Sequence, residues 1–166
     1  MDFINMELCM KKILKIGGFT LLGLAFAGVA AFFIWAKNPS KPRDIALGAL
    51  RSDDKVLVVE TKDYITFAPA AEKAETGFIF YPGGHVDFRA YAPILHRIAA
   101  EGIFVVLVRV KLDLAFFDIE AGARFLEAYP DIKLWTSGGH SLGGVASAMF
   151  AAKHPQVKAL VFWASY

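Results

Sequence analysis

The chain has 166 residues, 56% of them hydrophobic, and a formal net charge of +2. That length bounds it to about one ordinary domain, and the apolar content excludes a disordered chain. With no basic run beyond a few lysines there is no footprint for nucleic acid. The single cysteine, Cys9, excludes an intrachain disulfide and a cysteine-based metal cluster. The four histidines, His85, His96, His140 and His154, lack the HExxH and His-x-His spacings of a metal site, so neither metal nor cofactor is expected. No internal repeat or low-complexity tract is present.

The first element is an uncharged run, "IGGFTLLGLAFAGVAAFFIWA", from Ile16 to Ala36. As a helix it covers about 30 Å, the thickness of a bilayer core. Lys11, Lys12 and Lys15 precede it, Lys37, Lys41 and Arg43 follow it, and Trp35 stands where an interfacial aromatic anchors. Ala25-Phe26-Ala27 fits a signal-peptidase site, but the apolar run continues past it, which favours an uncleaved anchor over a cleaved signal. Met10-Lys11-Lys12 reads as a more natural start than Met1. Cys9 precedes the run and so is no lipobox cysteine. A short basic N-terminus ahead of a large domain favours a single-pass membrane protein with the domain on the extracytoplasmic side. The lipid bilayer is thus the expected partner of Ile16–Ala36.

Residues 38–54, "NPSKPRDIALGALRSDD", carry two prolines and mixed charge, and read as a tether. The expected division is a segment with the anchor at 1–37, a linker at 38–54 and a soluble domain at 55–166.

Within the domain, "KVLVVE" and "YITFAPA" read as strands joined by a turn near Lys62-Asp63. "GFIFYPGG" is a third strand, halted by Pro82-Gly83-Gly84. Asp87 caps a helix whose Tyr91, Ile94, Leu95 and Ile98 share a face, and Gly102 ends it. "IFVVLVRV" is the fourth strand. Asp118 is expected to cap the next helix, with Ile119, Ala123 and Leu126 in register and Pro130 past its end. "IKLWTSG" is the fifth strand, a helix runs from Leu142 to Lys153, and "VKALVFWAS" is the sixth strand. Alternation of helices with doubly apolar strands predicts an α/β domain, a mostly parallel sheet with helices on both faces. Ligands of such sheets bind at the carboxyl ends of the strands, where both glycine turns fall.

One of those turns is "GGHSLGG", which sets Ser141 between Gly139 and Gly143. A nucleophile elbow needs a serine at a strained strand-to-helix turn with neighbours that approach closely, and the two glycines remove Cβ atoms that would collide. Gly144, Ala146 and Ala148 let the following helix lie tight on the sheet. The plainer reading is a strand-to-helix turn with Ser141 as helix cap; the preceding strand and the alanine-rich helix favour the elbow.

"GGHSLGG" after "IKLWTSG", with "FYPGGHVD" after the third strand, resembles the α/β-hydrolase family. More narrowly it resembles small membrane-anchored bacterial members whose pattern reads "YPGG-x-VD-x-x-AYAP". The resemblance covers Val56 to Tyr166. It implies a serine hydrolase acting on an ester or related acyl substrate, with Ser141 as nucleophile. It implies an oxyanion hole formed by Leu142 N–H and Gly84 N–H, with His85 N–H as the alternative second donor.

The family orders its triad as serine, acid, histidine. No histidine of this chain stands in the late position: His140 belongs to the elbow and points away, His154 reads as a helix C-terminal cap or surface residue, and His96 as a packed or solvated residue. His85 lies near the site but before the serine. Asp113 and Asp118 follow the fourth strand, Asp87 caps a helix, and Asp131 precedes the fifth strand. Ending on the apolar strand "VFWASY" leaves an edge uncovered. The sequence therefore reads as an N-terminal fragment of a longer hydrolase, inactive by itself. The alternative is a silent relative, a non-catalytic membrane-tethered binding module on the same fold.

Overall fold

The computed structural model describes residues 3–165, with side chains described from Met10 to Ser165. The side chain of Cys9, and Tyr166 at the end of the expected domain, lie outside the described residues. The chain forms two compact units, Met1–Asn38 and Pro39–Tyr166.

The first unit is one helix, α1 (Phe3–Ala36). Its stretch Met10–Ala36, 27 residues, is long and apolar enough to cross a membrane. Leu14, Phe19, Leu21, Phe26 and Ile34 are all exposed, so the apolar side chains surround the helix instead of forming one stripe. The Thr20 hydroxyl donates to the Ile16 carbonyl at 2.8 Å, which satisfies a polar group inside the helix itself.

The second unit begins earlier than the tether reading implies. Residues 39–54 are folded: Ser40 N–H donates to the His85 carbonyl (3.1 Å), and the Ser40 carbonyl accepts from Asp87 N–H (3.0 Å). A short helix, α2 (Asp44–Gly48), buries Ala46. Asp53 Oδ1 then accepts the N–H groups of Lys55 (2.9 Å) and Val56 (2.8 Å), turning the chain into the sheet. The prolines mark bends in a docked segment here.

The sheet strands are β1 (Val56–Glu60), β2 (Tyr64–Pro69), β3 (Thr76–Tyr81), β4 (Phe104–Val108), β5 (Leu134–His140) and β6 (Val157–Trp163). Their order is β1-β2-β4-β3-β5-β6; β1 and β2 pair antiparallel, as do β2 and β4, and β4, β3, β5 and β6 run parallel. Successive side chains of a strand point to opposite faces. The central strands therefore need apolar residues at every position, and they divide two cores. Phe78 and Phe80 of β3 and Val105 and Leu107 of β4 belong to one core. Ile79, Tyr81, Val106 and Val108 belong to the other. A one-residue slip of either strand would exchange the two sets.

Helix α3 (Ala92–Ala100) covers the first core with Ala92, Leu95 and Ala99. Pro93 sits in its first turn, where a missing N–H costs nothing. Asp87 caps the 3-10 turn Phe88–Tyr91 that leads into it, accepting from Arg89 N–H at 3.0 Å. The second core is covered by α4 (Ala123–Ala128) through Phe125 and by α5 (Leu142–Lys153) through Ala146 and Phe150. Ile119, Ala123 and Leu126 pack on that core together, as their spacing predicts. Asp118 is not their cap: its side chain makes no capping bond and pairs with Lys111 Nζ at 3.1 Å. The chain enters α4 through a 3-10 turn, Ile119–Gly122. The Tyr81 hydroxyl holds that turn, bonded to the Ile119 carbonyl and to Gly122 N–H.

Candidate active site

Ser141 stands between β5 and α5 with φ 50° and ψ −120°. This backbone conformation is rare for a residue with a Cβ and persists only where the surroundings over-determine it. Here they do. Ser141 N–H donates to the Trp163 carbonyl (2.9 Å), while the Ser141 carbonyl accepts from Gly144 N–H (3.0 Å) and from Ser165 Oγ (3.1 Å). A Cβ at Gly143 would collide with the Tyr81 and Pro82 carbonyls, and one at Gly139 would collide with the Gly143 backbone and the Tyr81 carbonyl. The glycines thus let the elbow press against the end of β3. The Ser141 side chain makes no capping bond to α5, and the residue is half-buried. Deeper down, Ser137 of β5 and Ser147 of α5 satisfy each other at 3.1 Å, both fully buried.

The first N–H groups of a helix have no partner within it, and Leu142 N–H is the first of α5. Beside it lies the turn that ends β3. A Cβ built on Gly84 would lie 3.2 Å from Leu142 Cδ2 and 3.3 Å from Leu114 Cδ2, so Gly84 is flanked by these two side chains. Gly84 N–H has no hydrogen-bond partner among the described residues. His85, at φ 57°, differs: its N–H donates to the Asp113 carbonyl at 2.8 Å. Leu112 (φ 57°) and Asp113 (φ 51°) share its left-handed conformation, so the loops after β3 and β4 meet as a strained pair. Burial pushes the Asp113 carboxyl above the usual carboxylate range, with Arg109 working against it.

Three histidines have other partners. His140 Nδ1 lies 3.0 Å from the Tyr91 hydroxyl. His154 ends α5 with Nε2 2.7 Å from Glu120 Oε2, in keeping with a helix-end role. His96 Nε2 is 3.6 Å from Asp53 Oδ2, and its ring packs edge-on against Phe67. Among the described residues, no histidine nitrogen hydrogen-bonds Ser141 Oγ. Nor do the described residues include a group of three or more His, Cys, Asp or Glu able to hold a metal ion. Asp131 pairs with Lys73 at 2.6 Å, beside a cleft of about 430 Å³ lined by Pro69, Phe104 and Tyr129. Phe104 opens β4, so that cleft lies at the end of the parallel strands opposite Ser141. Tyr91 is the site residue that the sequence assigned only to packing; its proximity to His140 bridges 49 positions of chain.

A search of curated proteins finds no match. Among 159 matching chains of known structure is the crystal structure of ESTFA in an iron-lacking apo form. It is 14% identical, with a TM-score of 0.46 over 74% of this chain, and this chain spans 50% of that one. The model of the alpha/beta hydrolase family matches residues 77–166, more than half of the sequence, and takes in β4, β5, β6 and all of β3 after Thr76. The strand order, the helices on both faces and this match agree, and the chain belongs to the alpha/beta hydrolase family.

Proposed function

We propose that the protein is a membrane-tethered serine hydrolase of ester or related acyl substrates. The observation that carries this is the strained backbone of Ser141 near two amides, Leu142 N–H and Gly84 N–H, that make no hydrogen bond among the described residues. In this reading Ser141 Oγ attacks the acyl carbonyl, forming the Oγ–C bond. The carbonyl oxygen becomes an oxyanion bound by the two amides, which strengthen their hold as charge develops. Collapse expels the leaving alcohol, and water then cleaves the acyl-serine. Gly84 is preferred to His85 as second donor because the His85 amide is already spent on Asp113. The serine proton needs an acceptor as the bond forms. Among the described residues no histidine nitrogen hydrogen-bonds Ser141 Oγ, so in this reading the base and acid are other residues of the full natural chain, to which the activity is assigned. Met10–Ala36 would hold the catalytic unit at a bilayer, on its extracytoplasmic side.

The second reading, a non-catalytic tethered binding module, is favoured by one observation: no described histidine is bonded to Ser141 Oγ. One experiment separates them. Membranes from cells making the full natural chain should carry p-nitrophenyl ester hydrolysis that resists high-salt and carbonate washing. Ser141→Ala should lower it by about 10⁴-fold or more. Equal turnover with alanine at 141 sinks the nucleophile. Membrane-bound protein without turnover supports the binding module, and release of a processed soluble domain sinks the anchor.

A further inference from the structure

Gly83, one residue before the proposed oxyanion donor, donates its N–H to the Tyr91 hydroxyl at 3.0 Å. The same hydroxyl lies 3.0 Å from His140 Nδ1, on the residue before Ser141. The phenol therefore bridges the turn after β3 and the elbow after β5. A backbone N–H only donates, so the phenol oxygen accepts from Gly83, and the imidazole tautomer sets the direction of its bond with Nδ1. Burial pushes the Tyr91 phenol above its ordinary range, and the proton stays on oxygen. Space at this point is fully used: a Cβ on Gly83 would come within 2.7 Å of His140 Nδ1 and 2.8 Å of the Tyr91 oxygen. The Tyr91 ring is also packed, 5.0 Å from the Phe80 centroid and 5.8 Å from that of His140.

We propose that Tyr91 and His140 are positioning residues that clasp the Gly83-Gly84 turn to the elbow, fixing Gly84 N–H at the distance from Ser141 that an oxyanion requires. The inference rests on the serine-hydrolase reading of this site. Neither side chain touches substrate; they act through the placement of a backbone donor. A donor aimed at charge that exists only in the transition state affects kcat and leaves ground-state binding alone.

The test uses the full natural chain, with p-nitrophenyl butyrate as substrate and rates counted per serine titrated by a phosphonate. Tyr91→Phe keeps the ring and removes the bridge; it should lower kcat by about 10- to 100-fold with KM changed less than about twofold. His140→Leu should do the same. His140→Asn places an amide oxygen where Nδ1 lies and should restore kcat to within about threefold of the parent, a rescue that a mere packing role does not predict. Tyr91→Phe with kcat intact overturns the clasp, and so does His140→Asn as impaired as His140→Leu. A parent protein without Ser141-dependent turnover overturns the underlying reading instead, and the clasp falls with it.

Discussion

The two ends of the parallel strands are built on different principles. At the carboxyl ends stand all five non-glycine residues with positive φ among the described residues: His85 after β3, Leu112 and Asp113 after β4, Ser141 after β5 and Ala164 after β6. At the amino ends the left-handed position before β4 is filled by Gly102, at φ 90°, with nothing within 4 Å of its missing Cβ. That end is dressed with exposed ion pairs, Lys73–Asp131 and Lys133–Glu75. A protein indifferent to the difference would put glycine at every left-handed position, because glycine adopts it without steric cost. Keeping side chains there costs about 1–3 kcal/mol each, and such outliers gather where geometry serves a function. The carboxyl end trades stability for placement.

Substitutions at the two ends should therefore differ in size and in sign. The largest effect is expected of Gly143→Ala, which drives a methyl into the Tyr81 and Pro82 carbonyls. Backbone cannot yield as a flexible side chain does, so denaturant unfolding should show a loss of about 3 kcal/mol or more. An unchanged midpoint would mean that the elbow does not sit against β3. Next comes Ser141→Gly, which relieves the φ of 50°. Against the extra chain entropy of glycine, a net gain of about 1 kcal/mol is expected, together with loss of hydrolysis. A loss of stability there would erase the contrast between the ends. Gly102→Ala should match the Ser141→Gly change in size and oppose it in sign: only backbone strain opposes the methyl, and a loss of about 1 kcal/mol should appear in the same measurement.

What the sequence carried and what it withheld divide along physical lines. Strands β3 to β6 are runs of apolar residues bounded by turn residues, a signal that depends on local chain alone, and they fall where the runs predict. The elbow is legible for the same reason, since Gly139 and Gly143 record close approach in residue type. Residues 39–54 misled because prolines and charges look alike in a tether and in a docked segment. What docks this one is a pair of backbone bonds to His85 and Asp87, which leave no trace in composition. Asp118 suits a cap by type, yet Lys111 takes its carboxylate. The left-handed Leu112 and Asp113 could not be read, because neither residue type announces that conformation. Nor could the Tyr91–His140 contact, which exists only once β3, α3 and β5 are packed together.

The serine's backbone is held from a place much later in the chain. Its N–H is taken by Trp163, the last residue of β6, and its carbonyl by Ser165 just beyond it, both on the far side of α5 in the sequence. During synthesis, at about 5–20 residues per second, the stretch around Ser141 leaves the ribosome before either partner exists. Until β6 has emerged and docked beside β5, the left-handed turn lacks its bonds to Trp163 and Ser165. The strained turn at Ser141 is thus assembled late, and a nascent or prematurely released chain carries the motif without the geometry.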